Sequence, residues 1–213
     1  MSGPIEFYFD FLSPYGYLAA TKIDDLAEKY GRRVIWRPFL LGVTVIKVMG
    51  LKPLMETPLK ADYIKKDLAR SAKLLGVPLN LATNGPTNSL AAARAFYWVQ
   101  ERDKELAKKL ALKLLTRQWV LGEDISEVET IADEAESLGI NREELLIALQ
   151  SKSLKDRLNR EVNKAIECGV FGSPTFCVDG EILWGADRLR MLEHWLHYGN
   201  WVPAATLPIG HSV

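Results

Sequence analysis

Ser13, Pro14, Tyr15 and Gly16 stand between an aromatic, alternating run (residues 5–11) and an amphipathic one. That placement puts Ser13 at a helix N-terminus, where unpaired N–H groups and the helix dipole favour negative charge. A serine hydroxyl is not an anion near pH 7, but it donates one hydrogen bond. The chemistry it suits is holding another molecule's anion, a small-molecule thiolate above all. Serine followed by proline is equally an ordinary helix start, with Ser13 as N-cap and Pro14 at the first helical position. Local sequence leaves both roles open.

Other residues able to do chemistry are few. Cys168 sits at a helix end and Cys177 within a strand, and free cysteines are mostly buried, so both are expected in the core. His194 and His197 have the i, i+3 spacing of a metal pair, but no acidic or sulfur partner lies nearby in sequence. Together with His211 they read as surface residues, and no metal site is expected. Asn84, Asn88 and Arg94 are candidates to face a cleft from the middle of the chain, with Asn88 equally placed to cap a helix.

The whole composition is that of a globular chain. Of 213 residues, 48% are hydrophobic and 25% charged, and 27 Lys+Arg balance 27 Asp+Glu. A net charge of zero gives no basic field for nucleic acid or an anionic membrane. No stretch has the length and apolarity of a signal or spanning helix, and two cysteines make no disulfide framework. A reducing, cytoplasmic setting is the expectation. There is no internal repeat or low-complexity segment.

Apolar periodicity sets out the elements that must position these groups. Strands are expected at 5–11 and 33–41, Pro38 marking an edge or strand end. Between them one helix runs from Tyr15 to Tyr30, closed by Gly31. Thr57-Pro58 looks like a cap and first-turn proline for a helix ending near Gly76. Further helices are expected at 88–100 and 103–121. Capping boxes at Ser126/Glu129 and Asn141/Glu144 open two more. Ser153 and Asp156 begin a helix ending at Gly169. Asp179-Gly180 then joins two apolar runs within 174–185 as a type I′ hairpin. Asp187 caps a last helix, and residues 200–213 look like a tail.

The order β-α-β, helices, α-β-β-α is an α/β chain of thioredoxin-like arrangement: residues 1–42 and 153–199 form the thioredoxin-like part, and 43–152 an all-α insert. In that arrangement the turn after the first strand carries a C-x-x-C pair, whose thiolate the helix end stabilises. Ser13-Pro14-Tyr15-Gly16 fills that slot without sulfur. Disulfide exchange at the turn is thereby excluded.

"FYFDFLSPYGYLA", taken together with "VFGSPTFCVDGEILWGADRLRMLE", resembles the 2-hydroxychromene-2-carboxylate isomerase family, which is close to kappa-class glutathione transferases and more distantly similar to DsbA-type oxidoreductases. The resemblance spans nearly the whole chain. It implies glutathione as cofactor, a homodimer, and a small aromatic carboxylate as substrate. The implied reaction is cis-trans isomerisation by reversible thiolate addition and elimination. Ser13 matches the catalytic serine that hydrogen-bonds the glutathione sulfur, and Tyr15 shares its turn. Ser173-Pro174 matches a cis-proline turn whose first residue pairs its backbone with the cysteinyl unit. Gly185, Ala186 and Asp187 match the turn that receives the γ-glutamyl end, Asp187 facing its ammonium. Lys52 matches a cation for the glycine carboxylate, while Lys47, with Asn84, is a weaker candidate for the substrate.

Three positions depart from the pattern: Leu51 where an Asn precedes the cation, Ala186 where Ser or Asn is usual, and Gly16 where Ser is common. The first two would each remove a polar contact worth about 0.5–1.5 kcal/mol. A kappa-like transferase and a cysteine-free peptide-binding module are the alternatives. The charged γ-glutamyl turn argues against the second.

Overall fold

The computed structural model describes residues 3–81 and 88–202. Ile5–Phe9 (β1) is a strand whose side chains alternate: Ile5, Phe7 and Phe9 bury on one face, Glu6 and Tyr8 turn to the other. Val34–Pro38 (β2) lies parallel to it, Ile5 opposite Val34 and Phe9 opposite Pro38. Thr175–Val178 (β3) and Glu181–Trp184 (β4) complete a sheet of order β2-β1-β3-β4, their pairings antiparallel. Asp179 and Gly180 make the hairpin with φ of 49° and 91°, the two positive values a type I′ turn needs.

Aromatic packing fixes the sheet's apolar face. Phe7 stacks on Phe9 and Phe176 at 5.2 and 5.6 Å, and Trp36 meets Phe7 and Phe9 edge-on at 5.1 and 5.3 Å. On the other face Arg37 joins Glu6 at 2.6 Å to Glu161 at 3.2 Å. Burial, then the Glu6 charge, pushes the Tyr8 hydroxyl far above the ordinary phenol range.

Pro14–Ala20 (α1) and Ile23–Lys29 (α2) link β1 to β2. Lys60–Leu75 (α3), Leu90–Gln100 (α4), Lys104–Thr116 (α5), Val128–Glu136 (α6) and Arg142–Gln150 (α7) follow, with no strand among the described residues between β2 and β3. Lys152–Glu167 (α8) leads back to the hairpin, and Leu189–Tyr198 (α9) follows it. This is the α/β thioredoxin-like order expected from the pattern.

Several local expectations change. The helix expected over 15–30 is two helices, because Thr21 Oγ1 and Lys22 N–H turn back to Leu18 and Ala19 carbonyls and close the first. Thr57 does not cap: its hydroxyl donates to Pro53 O at 3.0 Å, and α3 starts after Leu59, whose φ is 66°. The helix expected to reach Leu121 is α-helical to Thr116 and continues as a wider π-helical turn, Arg117–Leu121. Ser126 and Glu129 make no capping box, since Glu127 occupies the cap and Glu129 pairs with Arg142. Ser151, not Ser153 or Asp156, caps α8, accepting the Leu154 N–H at 3.3 Å. Asn141 does cap α7, through the Glu144 N–H at 3.1 Å. Cys168 is exposed rather than in the core, because it lies beyond the last turn of α8. Trp201, within the stretch expected as a tail, packs on Trp195 at 4.8 Å.

Candidate thiol site

The corner between β1 and α1 is built by short bonds from several directions. Asp10 C=O accepts the Ser13 N–H at 2.9 Å, turning the chain sharply. Ser13 then has extended φ/ψ of −98° and 111°, and its Oγ accepts the Gly16 N–H at 2.9 Å. Trp119 donates its indole N–H to Phe11 O at 2.9 Å, anchoring the corner to the helical region. Ser13 is therefore a true N-cap, which answers one of the two roles read from sequence.

A further set of hydrogen bonds reaches Ser13 from across the sheet. The Ser173-Pro174 peptide bond is cis, as the resemblance implies. Ser13 Oγ–H donates to the Ser173 carbonyl at 3.0 Å, and Ser173 Oγ accepts the Asp10 N–H at 3.0 Å. Both serines are buried, at 4% and 9% exposure. Gly16 makes this approach possible: a Cβ there would stand 2.7 Å from Ser173 Oγ and 3.1 Å from Ser13 Cβ.

The turn after β4 docks on the same corner. Gly185 N–H donates to Pro174 O at 2.9 Å, with Gly185 at φ 116°, a value that a side chain would strain. Ala186 is buried beneath it. Asp187 does not cap α9 as the sequence suggests, because a single 3₁₀ turn, Ala186–Arg188, intervenes and Arg188 takes the cap position. Its carboxylate stands 70% exposed, 3.4 Å from Arg188 Nη2.

Tyr15 does not offer its hydroxyl freely. It donates to Asp67 of α3 at 2.6 Å. Burial, then that bond, pushes the Tyr15 hydroxyl well above the ordinary phenol range, and the charges of Asp67 and Asp187 add to the effect. Asp187 and Asp67 thus lie within electrostatic reach of one tyrosine.

Of the cations, Lys47 lies on the π-helical turn Gly42–Val48 and Lys52 just beyond it; both are exposed. Neither is hydrogen-bonded to the corner. Asn84 lies outside the described residues. Asn88 Oδ1 accepts the Leu90 N–H at 2.8 Å, so it serves the start of α4. Arg94 is half-buried with its Nε unpartnered, and burial lowers its pKa. Burial pushes the Cys177 thiol up to about 12, which leaves it inert near neutral pH.

Two residues escaped the sequence reading. Asp10 is fully buried at the corner, and its signal was a lone acid inside an aromatic run. Asp67 had no signal, being one polar residue on an amphipathic helix.

Comparison with known proteins agrees with this fold. The DSBA-like thioredoxin domain model matches residues 4–197. The chain is 35% identical over 192 residues to the 2-hydroxychromene-2-carboxylate isomerase of Pseudomonas putida, covering 89% of this chain and 92% of that one. It is 28% identical to glutathione S-transferase kappa 1 of Rattus norvegicus, covering 90% of each. A solved structure of 2-hydroxychromene-2-carboxylate isomerase superposes with a TM-score of 0.81 at 32% identity, covering 91% of this chain and 94% of that chain. Matched along nearly its whole length by that family model and by these isomerases, this chain belongs to the DSBA-like thioredoxin family and, within it, to the 2-hydroxychromene-2-carboxylate isomerase family.

Proposed function

We propose that the protein is a glutathione-dependent cis-trans isomerase of aromatic carboxylates of the 2-hydroxychromene-2-carboxylate type. The observation that carries this reading is the hydrogen bond from Ser13 Oγ–H to the Ser173 carbonyl at the cis turn. It sets side by side the two groups a cysteinyl unit needs, a donor for the sulfur and a carbonyl for the amide N–H. Glutathione would supply a thiolate for reversible addition to a conjugated carbon.

The chain's own residues do the rest. Ser13 turns its one proton from the Ser173 carbonyl toward the sulfur, while the Gly16 N–H stays on Oγ and strengthens the hydroxyl as a donor. The Ser173 carbonyl takes an amide N–H in exchange, so neither buried group is left unpaired. Asp187, with Asp67 behind Tyr15, faces the γ-glutamyl ammonium, and the backbone at Gly185 and Ala186 faces its carboxylate. Lys52 answers the glycine carboxylate and Lys47 that of the aromatic substrate. A cytoplasmic homodimer is part of the same reading.

The test is calorimetry with glutathione on wild type and Ser13→Ala, with a titration of the bound thiol. Wild type should bind with a thiol pKa below that of free glutathione, and Ser13→Ala should raise it. Absence of binding at millimolar glutathione would remove the proposal. A kappa-like transferase is the alternative reading, and relatives of that name align over most of the chain. Product analysis separates the two, an isomerase returning free glutathione and a transferase consuming it.

A further inference from the structure

At the end of β1 the chain buries a carboxyl group completely, Asp10 at 0% exposure. Such a group is stable there only if hydrogen bonds replace its water. Three donors do so. Leu12 N–H reaches Oδ1 at 3.0 Å, Leu41 N–H reaches Oδ2 at 2.6 Å, and the Ser89 side chain donates as well. Burial pushes the carboxyl above the ordinary range, and those three bonds pull it back. Ser89 occupies the N-cap position of α4 without capping it, its hydroxyl being given to Asp10 instead.

The backbone of the same residue serves both halves of the thiol corner. Its N–H holds Ser173 Oγ, 163 residues away, and its C=O holds the Ser13 N–H. Asp10 therefore joins the serine turn, the cis turn, the exit of β2 and the start of α4. Its sequence neighbours Phe9 and Phe11 are fully buried as well.

We propose that Asp10 is a positioning residue: its carboxylate ties the serine turn to Leu41 and Ser89, and so holds Ser13 Oγ against the Gly16 N–H and the Ser173 carbonyl at the spacing a thiol ligand requires. Its purpose rests on the glutathione reading of the site, but its test does not. A nearby carboxylate acts on a thiolate in two opposed ways. Its charge raises the pKa of a thiol introduced by Ser13→Cys, whereas its grip on the turn keeps the Gly16 N–H aimed at that sulfur and lowers it. Losing the carboxylate lowers the pKa if charge dominates and raises it if position does.

Ser13→Cys supplies a reporter thiol at the corner, read by ultraviolet thiolate titration without glutathione. In that background Asp10→Asn removes the charge and one acceptor. Leu41→Pro deletes the N–H that Oδ2 accepts and leaves the charge in place, and Leu41 already has φ −57°, which proline adopts. Both should raise the reporter pKa by about one unit, with the circular dichroism spectrum retained. Ser89→Ala, the mildest change, should move it the same way by less, and it carries the test if the other two do not fold. With Ser13 intact, Asp10→Asn and Leu41→Pro should weaken glutathione about tenfold. A reporter pKa that falls in Asp10→Asn, or that stays put in Leu41→Pro or Ser89→Ala, overturns the proposal. If the reporter rises as expected while wild type fails to bind glutathione, the cofactor reading falls and the positioning role stands.

Discussion

Ser13 has one proton, and in the free protein it rests on the Ser173 carbonyl. A ligand must release both groups together, offering an acceptor to Ser13 and a donor to Ser173. Thiols without an amide N–H beside the sulfur-bearing carbon leave the carbonyl stranded. Competition calorimetry should therefore show 2-mercaptoethanol weaker than N-acetyl-cysteinyl-glycine by at least about tenfold, the cost of one unmade buried bond. Gly16 sets a second condition. Gly16→Ala places a Cβ 2.7 Å from Ser173 Oγ and should cost about 1–3 kcal/mol of stability together with glutathione binding. Adding Ser173→Ala removes the offending oxygen, so the double variant should regain part of both losses. Strict additivity in that thermodynamic cycle would deny the contact.

At the scale of elements, the β3–β4 hairpin is held to the rest of the sheet by a charge. Arg32 Nη1 and Nη2 grip Asp179 at 3.0 and 2.7 Å, and Trp195 Nε1–H donates to the same carboxylate at 3.2 Å. The Arg32 hydrogen bonds hold Asp179 below the ordinary carboxylate range. A depressed acid stabilises the fold above its unfolded pKa of about 3.9, and that contribution is lost as pH falls through the folded value. Asp179→Asn keeps a residue suited to positive φ and removes the charge. Solvent reaches this carboxylate, so the loss at pH 7 should be modest, about 0.5–1 kcal/mol. Thermal melts of variant and wild type should converge as pH drops below about 4. A gap that persists in acid would mean that turn geometry, not the ion pair, separates them.

The whole molecule assembles the site from four stretches remote in sequence: residues 10–16, Asp67, Ser173-Pro174 and Gly185–Asp187. Asp187, at the acidic end of this arc, is exposed, caps no helix and meets its neighbour Arg188 at 3.4 Å. Asp187→Asn should weaken glutathione about tenfold while leaving N-acetyl-cysteinyl-glycine, which has no ammonium, unaffected. Equal losses for both ligands would place Asp187 in general support of the turn.

Sequence alone determined what local rules govern. The aromatic alternation of 5–9, the Asp179-Gly180 turn, the Asn141 cap and the Ser13-Pro14 helix start follow from spacing and backbone preference within a few residues. The order of these elements was enough to name the fold, because two strands flanking a helix and a later hairpin have few ways to share one sheet. Tertiary structure decided what depends on distant partners. It split the 15–30 helix, moved the α8 cap to Ser151 and freed Asp187 from capping. It also made a lone Asp10 into the junction of four segments, and Asp67 into a neighbour of Tyr15. Periodicity reports which face of an element is apolar, but not which remote N–H or carboxylate will meet a given side chain. Buried hydrogen bonds between segments are set only when the core closes, and the chemistry of this corner is made of such bonds.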